Sequence, residues 1–62
     1  MYLEIRDQDH LMLAEGSSER KPVENEIVKA ILKRGFVASH IDIFYDDMLC
    51  DWCFTADIIR GD

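Results

Sequence analysis

The chain has 62 residues, of which 13 are acidic and 7 are basic, and its formal net charge is −6. This length accommodates one small domain, which we expect to span residues 1–62, and it excludes a doubly wound cofactor-binding sheet or a cleft between two lobes. No apolar run approaches the roughly 20 residues of a membrane-spanning helix, and the acidic start lacks the pattern of a secretory signal. These features predict a cytoplasmic protein that does not associate with membranes and whose two cysteines are reduced.

The first 14 residues predict a β-hairpin. Residues 2–7 alternate polar and apolar side chains, which is the period of a half-buried strand. Residues 11–14 are apolar and suit its partner, and residues 8–10 form a short polar link. A three-residue loop places Ile5 opposite Leu13, so that the two apolar faces agree.

A helix is predicted in the middle of the chain. A polar segment at residues 16–21 interrupts the strand pattern, and Pro22 suits an early helical position because its missing N–H has no partner there. From Val23 the apolar residues recur at helical spacing, and Gly35 is placed to end the helix in a left-handed cap. The predicted apolar stripe consists of Val23, Ile27, Ala30 and Ile31, widened by Val28 and Leu32.

Two further strands are predicted at residues 36–45 and 48–59, because both segments are rich in β-branched and aromatic residues. Asp46 and Asp47 form the tight turn between them in this prediction. One side of the resulting hairpin pairs Tyr45 with Met48, Ile43 with Cys50, Ile41 with Trp52, Ser39 with Phe54 and Val37 with Ala56. The other side pairs Phe44 with Leu49, Asp42 with Asp51, His40 with Cys53 and Phe36 with Asp57.

These elements predict an α+β two-layer sandwich in ββαββ order, with one helix packed on a mostly antiparallel four-stranded sheet. The strand order is left open. A helix about 10–12 Å wide does not cover four strands spaced about 4.8 Å apart, so part of the sheet stays uncovered. The open side carries Phe36, Phe44 and Leu49 among acidic residues, which indicates a partner surface or a homodimer; scattered surface apolar residues are the plainer alternative.

The negative charge is concentrated in the second half of the chain. Residues 36–62 contain six aspartates and one basic residue, Arg60, a balance of −5. Such a surface repels nucleic acid and favours a basic partner, although plain solubility also accounts for net charge of this size. Like charges at Asp42 and Asp51 destabilise a ladder, so their retention favours a functional negative surface. Carboxylates about 6.6–6.8 Å apart along a strand resemble every second phosphate of DNA, which suggests DNA mimicry; a solvated acidic face is the alternative.

Cys50 and Cys53 have the spacing of half a zinc site or of a redox pair. Residues three apart on a strand point to opposite faces, so we expect Cys50 in the core and Cys53 outside, with no redox pair and no bound cofactor. The predicted pairing of His40 with Cys53, between Asp42 and Asp51, keeps open an alternative: a small metal-binding or redox protein that uses His40, Cys50 and Cys53.

No catalytic signature is present: the chain has no P-loop, no Gly-x-Ser-x-Gly, no His-Glu-x-x-His and no Gly-x-Gly-x-x-Gly, and we expect no enzyme. In length, acidity and lack of motifs the chain is similar to small phage-encoded inhibitors such as anti-CRISPR proteins; the resemblance is of type rather than of motif, and it implies inhibition by binding. The leading hypothesis is a non-enzymatic acidic protein that binds a basic protein surface, such as that of a nucleic-acid-binding protein, and blocks it. A homodimerising structural subunit is a further alternative. The residues predicted to contact the partner are Asp42, Asp46, Asp47, Asp51, Asp57, Phe36, Phe44 and Leu49.

Overall fold

The structure is a computed structural model that describes residues 1–8 and 11–61. It has the predicted ββαββ architecture, with one helix on a four-stranded antiparallel sheet whose strand order is β1-β2-β4-β3. Strands β1 and β3 therefore form the two edges, and β4 joins the two hairpins. In the described residues no helix is long and apolar enough to cross a membrane. The elements are β1 (Tyr2–Gln8), β2 (Leu11–Ser18), α1 (Glu24–Lys33), β3 (Phe36–Asp46) and β4 (Asp51–Arg60).

The first hairpin is confirmed, but its predicted register is wrong. Gln8 pairs with Leu11, and the rest of the predicted link, residues 9 and 10, lies outside the described residues. Ile5 consequently pairs with Ala14 and not with Leu13. Strand β2 also runs on through residues 16–18, which were predicted to be a polar break, because pairing with β4 on its other side satisfies the backbone of these small residues.

The helix forms where the apolar period predicts it, with Ile27 and Ile31 completely buried. It begins at Glu24, so the prediction that Pro22 occupies an early helical position is wrong: Pro22 precedes the helix, and Val23 is its exposed N-cap. Gly35 has φ +88°, the left-handed conformation that glycine adopts without a Cβ penalty, which confirms the predicted cap. Arg34 then donates a hydrogen bond of 3.1 Å to the carbonyl oxygen of Leu3, which ties this end of the helix to β1.

The second hairpin is confirmed as a hairpin, but its turn is four residues long and its predicted register is wrong. Asp46 pairs with Asp51, and residues 47–50 form the turn. The partners are thereby shifted by four positions from the predicted ones, and Tyr45 pairs with Trp52 and Phe44 with Cys53. Because four is an even number, the side chains of residues 40–46 keep their predicted faces. The predicted like-charge pair of Asp42 with Asp51 does not form, since Asp42 lies opposite Thr55.

A bulge at residue 39 changes which side chains of β3 face the helix. The register skips from Ala38, opposite Ile58, to His40, opposite Asp57, so Ser39 is the extra residue. The alternation therefore inverts before residue 39. Phe36 packs against the core, contrary to the prediction that it belongs to the open face.

The core lies between the helix and one face of the sheet. Its buried side chains are Leu3, Ala14, Ile27, Ile31, Phe54, Ala56 and Ile58. Phe54 is the largest of them and lies opposite Gly16. A Cβ at residue 16 would overlap the Phe54 ring and the carbonyl oxygen of Tyr2, so the glycine is required for the ring to lie against β2.

Candidate functional site

The helix leaves the opposite side of the sheet uncovered, and the strand registers arrange its side chains in rows that run across the strands. We name this side the open face. Along every strand, core residues alternate with residues of the open face, so the strand pairing identifies the residues of the open face. From the turn of the second hairpin inward, the rows are Asp46–Asp51; then Phe44–Cys53–Ser17–Tyr2; then Asp42–Thr55–Glu15–Glu4; then His40–Asp57–Leu13–Arg6.

The open face carries almost all of the chain's net charge. It holds six carboxylates and one guanidinium, which gives −5 with His40 counted as neutral, whereas the whole chain has −6. All other residues together contribute −1. The six carboxylates, which we name the acidic face, belong to Glu4, Glu15, Asp42, Asp46, Asp51 and Asp57.

The acidic face has two pairs of like charges, and in the described residues a basic side chain lies within ion-pair distance of only one of them. Glu4 lies opposite Glu15, and Arg6 bridges them, with Nη2 at 2.6 Å from Glu15 and Nε at 3.7 Å from Glu4. Asp46 lies opposite Asp51, and within the described part of the chain no cation lies within ion-pair distance of either. These two carboxylates therefore have no ion-pair partner in residues 1–8 and 11–61, although Arg20 and Lys21 line the same cleft as Asp51.

Asp46 has a structural role besides its charge. Its Oδ1 atom accepts hydrogen bonds from the backbone N–H groups of Met48 at 2.9 Å and Leu49 at 3.3 Å. This side chain thereby closes the first part of the turn, as aspartate commonly does in loops. Cys50 ends the turn in the left-handed region with φ 55°. The turn holds Leu49 at the edge of the open face.

The second row forms a trough. Phe44 and Tyr2 lie at its two ends on the edge strands, while the small side chains of Cys53 and Ser17 lie between them. The space above the small residues is a shallow groove of about 250 Å³, and Leu49 contributes to its wall. We name this feature the trough.

The predicted partner-contact residues are mostly, but not all, brought together. Phe44 and Leu49 border the trough, and Asp47 is exposed in the turn. Phe36 is the exception, because the bulge turns it toward the helix. The predicted residues that lie on the open face are Asp42, Asp46, Asp51, Asp57 and Phe44.

The metal or redox alternative depended on His40 lying opposite Cys53, and the structure does not pair these two residues. His40 lies opposite Asp57 and not opposite Cys53, and its Nε2 atom is 3.6 Å from Asp42 Oδ2. Cys50 is exposed in the turn rather than buried, while Cys53 is on the open face as predicted but is buried there. No group of three metal-ligating side chains forms among residues 1–8 and 11–61.

Burial raises the pKa of the Cys53 thiol above its ordinary value, and the charges of Asp46 and Asp51 raise it further. This thiol therefore stays protonated near neutral pH and is a poor nucleophile and a poor metal ligand.

Several residues of the open face were missed by the sequence prediction. Tyr2, Glu4, Glu15 and Ser17 belong to the first hairpin, and they join the site because β2 pairs with β4. No local pattern indicates which strands of two hairpins become neighbours. The alternation of Tyr2, Glu4 and Arg6 with core residues was the available signal, and it identifies their face but not their neighbours.

A larger open cleft of about 660 Å³ lies where residues 17–23 cross from β2 to the helix. Its charged side chains are of both signs, so its chemistry does not select one class of ligand. They are Glu19, Arg20, Lys21, Glu26 and Asp51.

Comparisons of the chain with family models, with curated proteins and with solved structures return no significant match. The function is therefore inferred from the chemistry of the open face itself.

Proposed function

We propose that this protein is a non-catalytic binding module that docks the open face of its sheet onto a basic surface of another protein. The observation that carries the proposal is the segregation of charge, −5 of the total −6 on one side of a single sheet. A surface that served only solubility would gain nothing from this arrangement, because charge on any side of the molecule keeps chains apart.

The open face combines the two components that protein interfaces need. Its carboxylates accelerate encounter with a positively charged partner, an effect that salt screens. Its exposed apolar side chains, Phe44 and Leu49, supply area that is buried on contact, and such residues determine how long a complex lasts. An isolated acidic patch without apolar neighbours would attract a partner but would not retain it.

The partner class that the charge pattern fits best is a protein groove that otherwise holds nucleic acid. Successive rows on the sheet are separated by about 6.6–6.8 Å, which is about twice the rise per phosphate along the axis of the DNA helix. Asp57 and the row that contains Asp42 are one such step apart, and the row of Asp46 lies two steps beyond Asp42. In this function the protein inhibits its partner by occupying the groove, as a mimic of DNA.

The charge of the open face also bears on the homodimer alternative. Two copies that met through this face would bring −5 against −5, and like charges across an interface cost several kcal/mol. A partner of opposite charge is therefore favoured over a second copy of this chain.

Affinity capture from a lysate tests the proposal with three baits. The parent protein is compared with Asp46→Asn/Asp51→Asn, in which the amide oxygen introduced at position 46 can still accept the turn hydrogen bonds, and with Glu19→Gln/Glu24→Gln, which removes the same charge outside the open face. We expect a basic protein that the parent and the control retain at low salt and that the open-face variant loses. Duplex DNA added to the parent complex should displace that protein.

Retention of the same proteins by the open-face variant would refute docking through this face. Capture that DNA does not displace would refute the nucleic-acid groove while leaving the basic partner in place.

A further inference from the structure

The trough has the dimensions of a receptor for a single side chain. Phe44 and Tyr2 are separated by Cys53 and Ser17, that is, by three strand spacings or about 14 Å between their Cα atoms. Both aromatic rings are accessible, with Phe44 45% and Tyr2 60% exposed. A volume of about 250 Å³ is below the 300–1,000 Å³ typical of small-molecule sites.

Negative charge borders the trough on both long sides. The row of Asp46 and Asp51 lies on the side of the turn, and the row that includes Glu15 and Glu4 lies on the other side. The lining side chains include Glu4, Glu15 and Asp46 together with Tyr2, Phe44 and Leu49. A positively charged group between these rows has carboxylates on both sides, of which Glu4 and Glu15 also pair with Arg6, and an aromatic residue at each end.

We propose that the trough binds one arginine side chain of the partner protein. The planar guanidinium stacks on aromatic faces and also pairs with carboxylates in its own plane, and the trough offers both kinds of contact. The aliphatic stem of the arginine lies along the apolar floor formed by Cys53 and the wall formed by Leu49. This site deepens the proposed function and rests on it, since it supplies the anchor for a basic partner.

Arginine fits these contacts better than lysine does. A lysine ammonium is a compact and strongly hydrated point charge, which gains from the carboxylates but stacks poorly. The protonated thiol of Cys53 favours the same choice, because the floor beneath the cation carries no negative charge of its own and offers an apolar contact.

Amide chemical shifts of the ¹⁵N-labelled protein, titrated with blocked tripeptides, test the site without a known partner. The probes are Gly-Arg-Gly and Gly-Lys-Gly at matched ionic strength. We expect the shift changes to centre on Ser17, Phe44 and Cys53, with the arginine peptide binding about twofold or more tightly than the lysine peptide. Phe44→Ala should weaken arginine binding by about two- to fivefold, the range of an exposed cation–π contact.

Two further variants keep the test decisive. Ser17→Val fills the floor of the trough, retains every carboxylate and suits a strand, so it should weaken arginine binding even if Phe44→Ala disturbs the edge strand. Ile59→Ala removes an exposed apolar side chain from β4 at a distance from the trough and should leave binding unchanged. The dispersion of each spectrum reports whether the variant is folded.

Shift changes spread over all acidic residues, equal for both peptides and insensitive to Phe44→Ala and Ser17→Val, would overturn the arginine site. That result would leave the proposed function intact, because capture of a basic partner depends on the acidic face as a whole. Conversely, arginine binding in the trough with no loss of partner capture by Asp46→Asn/Asp51→Asn would refute the proposed function alone.

Discussion

Replacing Gly16 with alanine tests the packing that holds the two hairpins in one sheet. The added methyl group would overlap the Phe54 ring, whose Cε2 atom is 2.8 Å from the Cβ position, and the backbone oxygen of Tyr2. Neither group yields easily, because the ring is 1% exposed and the oxygen belongs to the neighbouring strand. The substitution must therefore displace a strand or drive the ring out of the core.

The expected loss follows from two opposing effects. Overpacking of a core costs about 1–3 kcal/mol, and the upper end applies where backbone must move. Removing a glycine from a strand returns about 0.5–1 kcal/mol of backbone entropy. The net loss is about 2 kcal/mol, set against a total of about 3–9 kcal/mol for a chain of 62 residues.

Urea denaturation followed by the fluorescence of Trp52 measures this loss. With a slope of about 1 kcal/mol per molar urea, the unfolding midpoint of Gly16→Ala should fall by about 2 M. Ser17→Ala, next in sequence but on the open face, should stay within about 0.5 kcal/mol of the parent. The double variant Gly16→Ala/Phe54→Leu should lose less than the two single losses combined, because the smaller side chain relieves part of the overlap. An unchanged midpoint for Gly16→Ala would refute the placement of the Phe54 ring against β2.

Four further outcomes are expected. Gly35→Ala should cost about 1–2 kcal/mol in the same urea assay, since φ +88° penalises a Cβ although no atom lies within 4 Å of it; equal stability would contradict the left-handed cap. Asp51→Asn should raise the midpoint by removing the repulsion from Asp46, and the gain should shrink as salt is added; a salt-independent change would speak against a charge effect. In a thiol-labelling experiment Cys50 should react first and Cys53 slowly, and urea should equalise them. The pKa of the Cys53 thiol is raised in the folded protein, so the stabilisation that this protonated thiol provides is complete below its ordinary pKa of 9.0 and should decline as pH rises above 9.0. A urea unfolding midpoint that increases over that pH range would contradict the raised pKa.

The helix and the existence of the four strands were predictable because they depend on local periods. Ile27 and Ile31 recur at the spacing of one helical face, and Gly35 marks the end of the helix by its conformational freedom. The acidic character of the second half was equally plain from counting. The helix, the strands and the local charge all depend on residues that are close together in the sequence, which is why the sequence alone predicts them.

The candidate site was predicted only in part, because its residues are assembled by pairing over long distances. The prediction placed the turn at Asp46 and Asp47, whereas the side chain of Asp46 instead caps a turn of four residues. The shift of the strands by four positions preserved the faces, so Phe44 and the aspartates stayed on the open side. The single extra residue in the bulge, Ser39, inverted the face of Phe36, and no local signal announced it.

What the sequence by itself determined is the set of elements and the alternation within each strand, since both follow from short-range sterics and from the cost of exposing apolar side chains. The tertiary structure decided which strands are neighbours. By pairing β2 with β4, it set Ser17 beside Cys53 between two aromatic edges, and it brought the glutamates of the first hairpin beside the aspartates of the second. The physical reason is that the backbone hydrogen bonds of a sheet are nearly the same for any strand order, so the choice depends on how core side chains such as Phe54 fit against Gly16 and the helix.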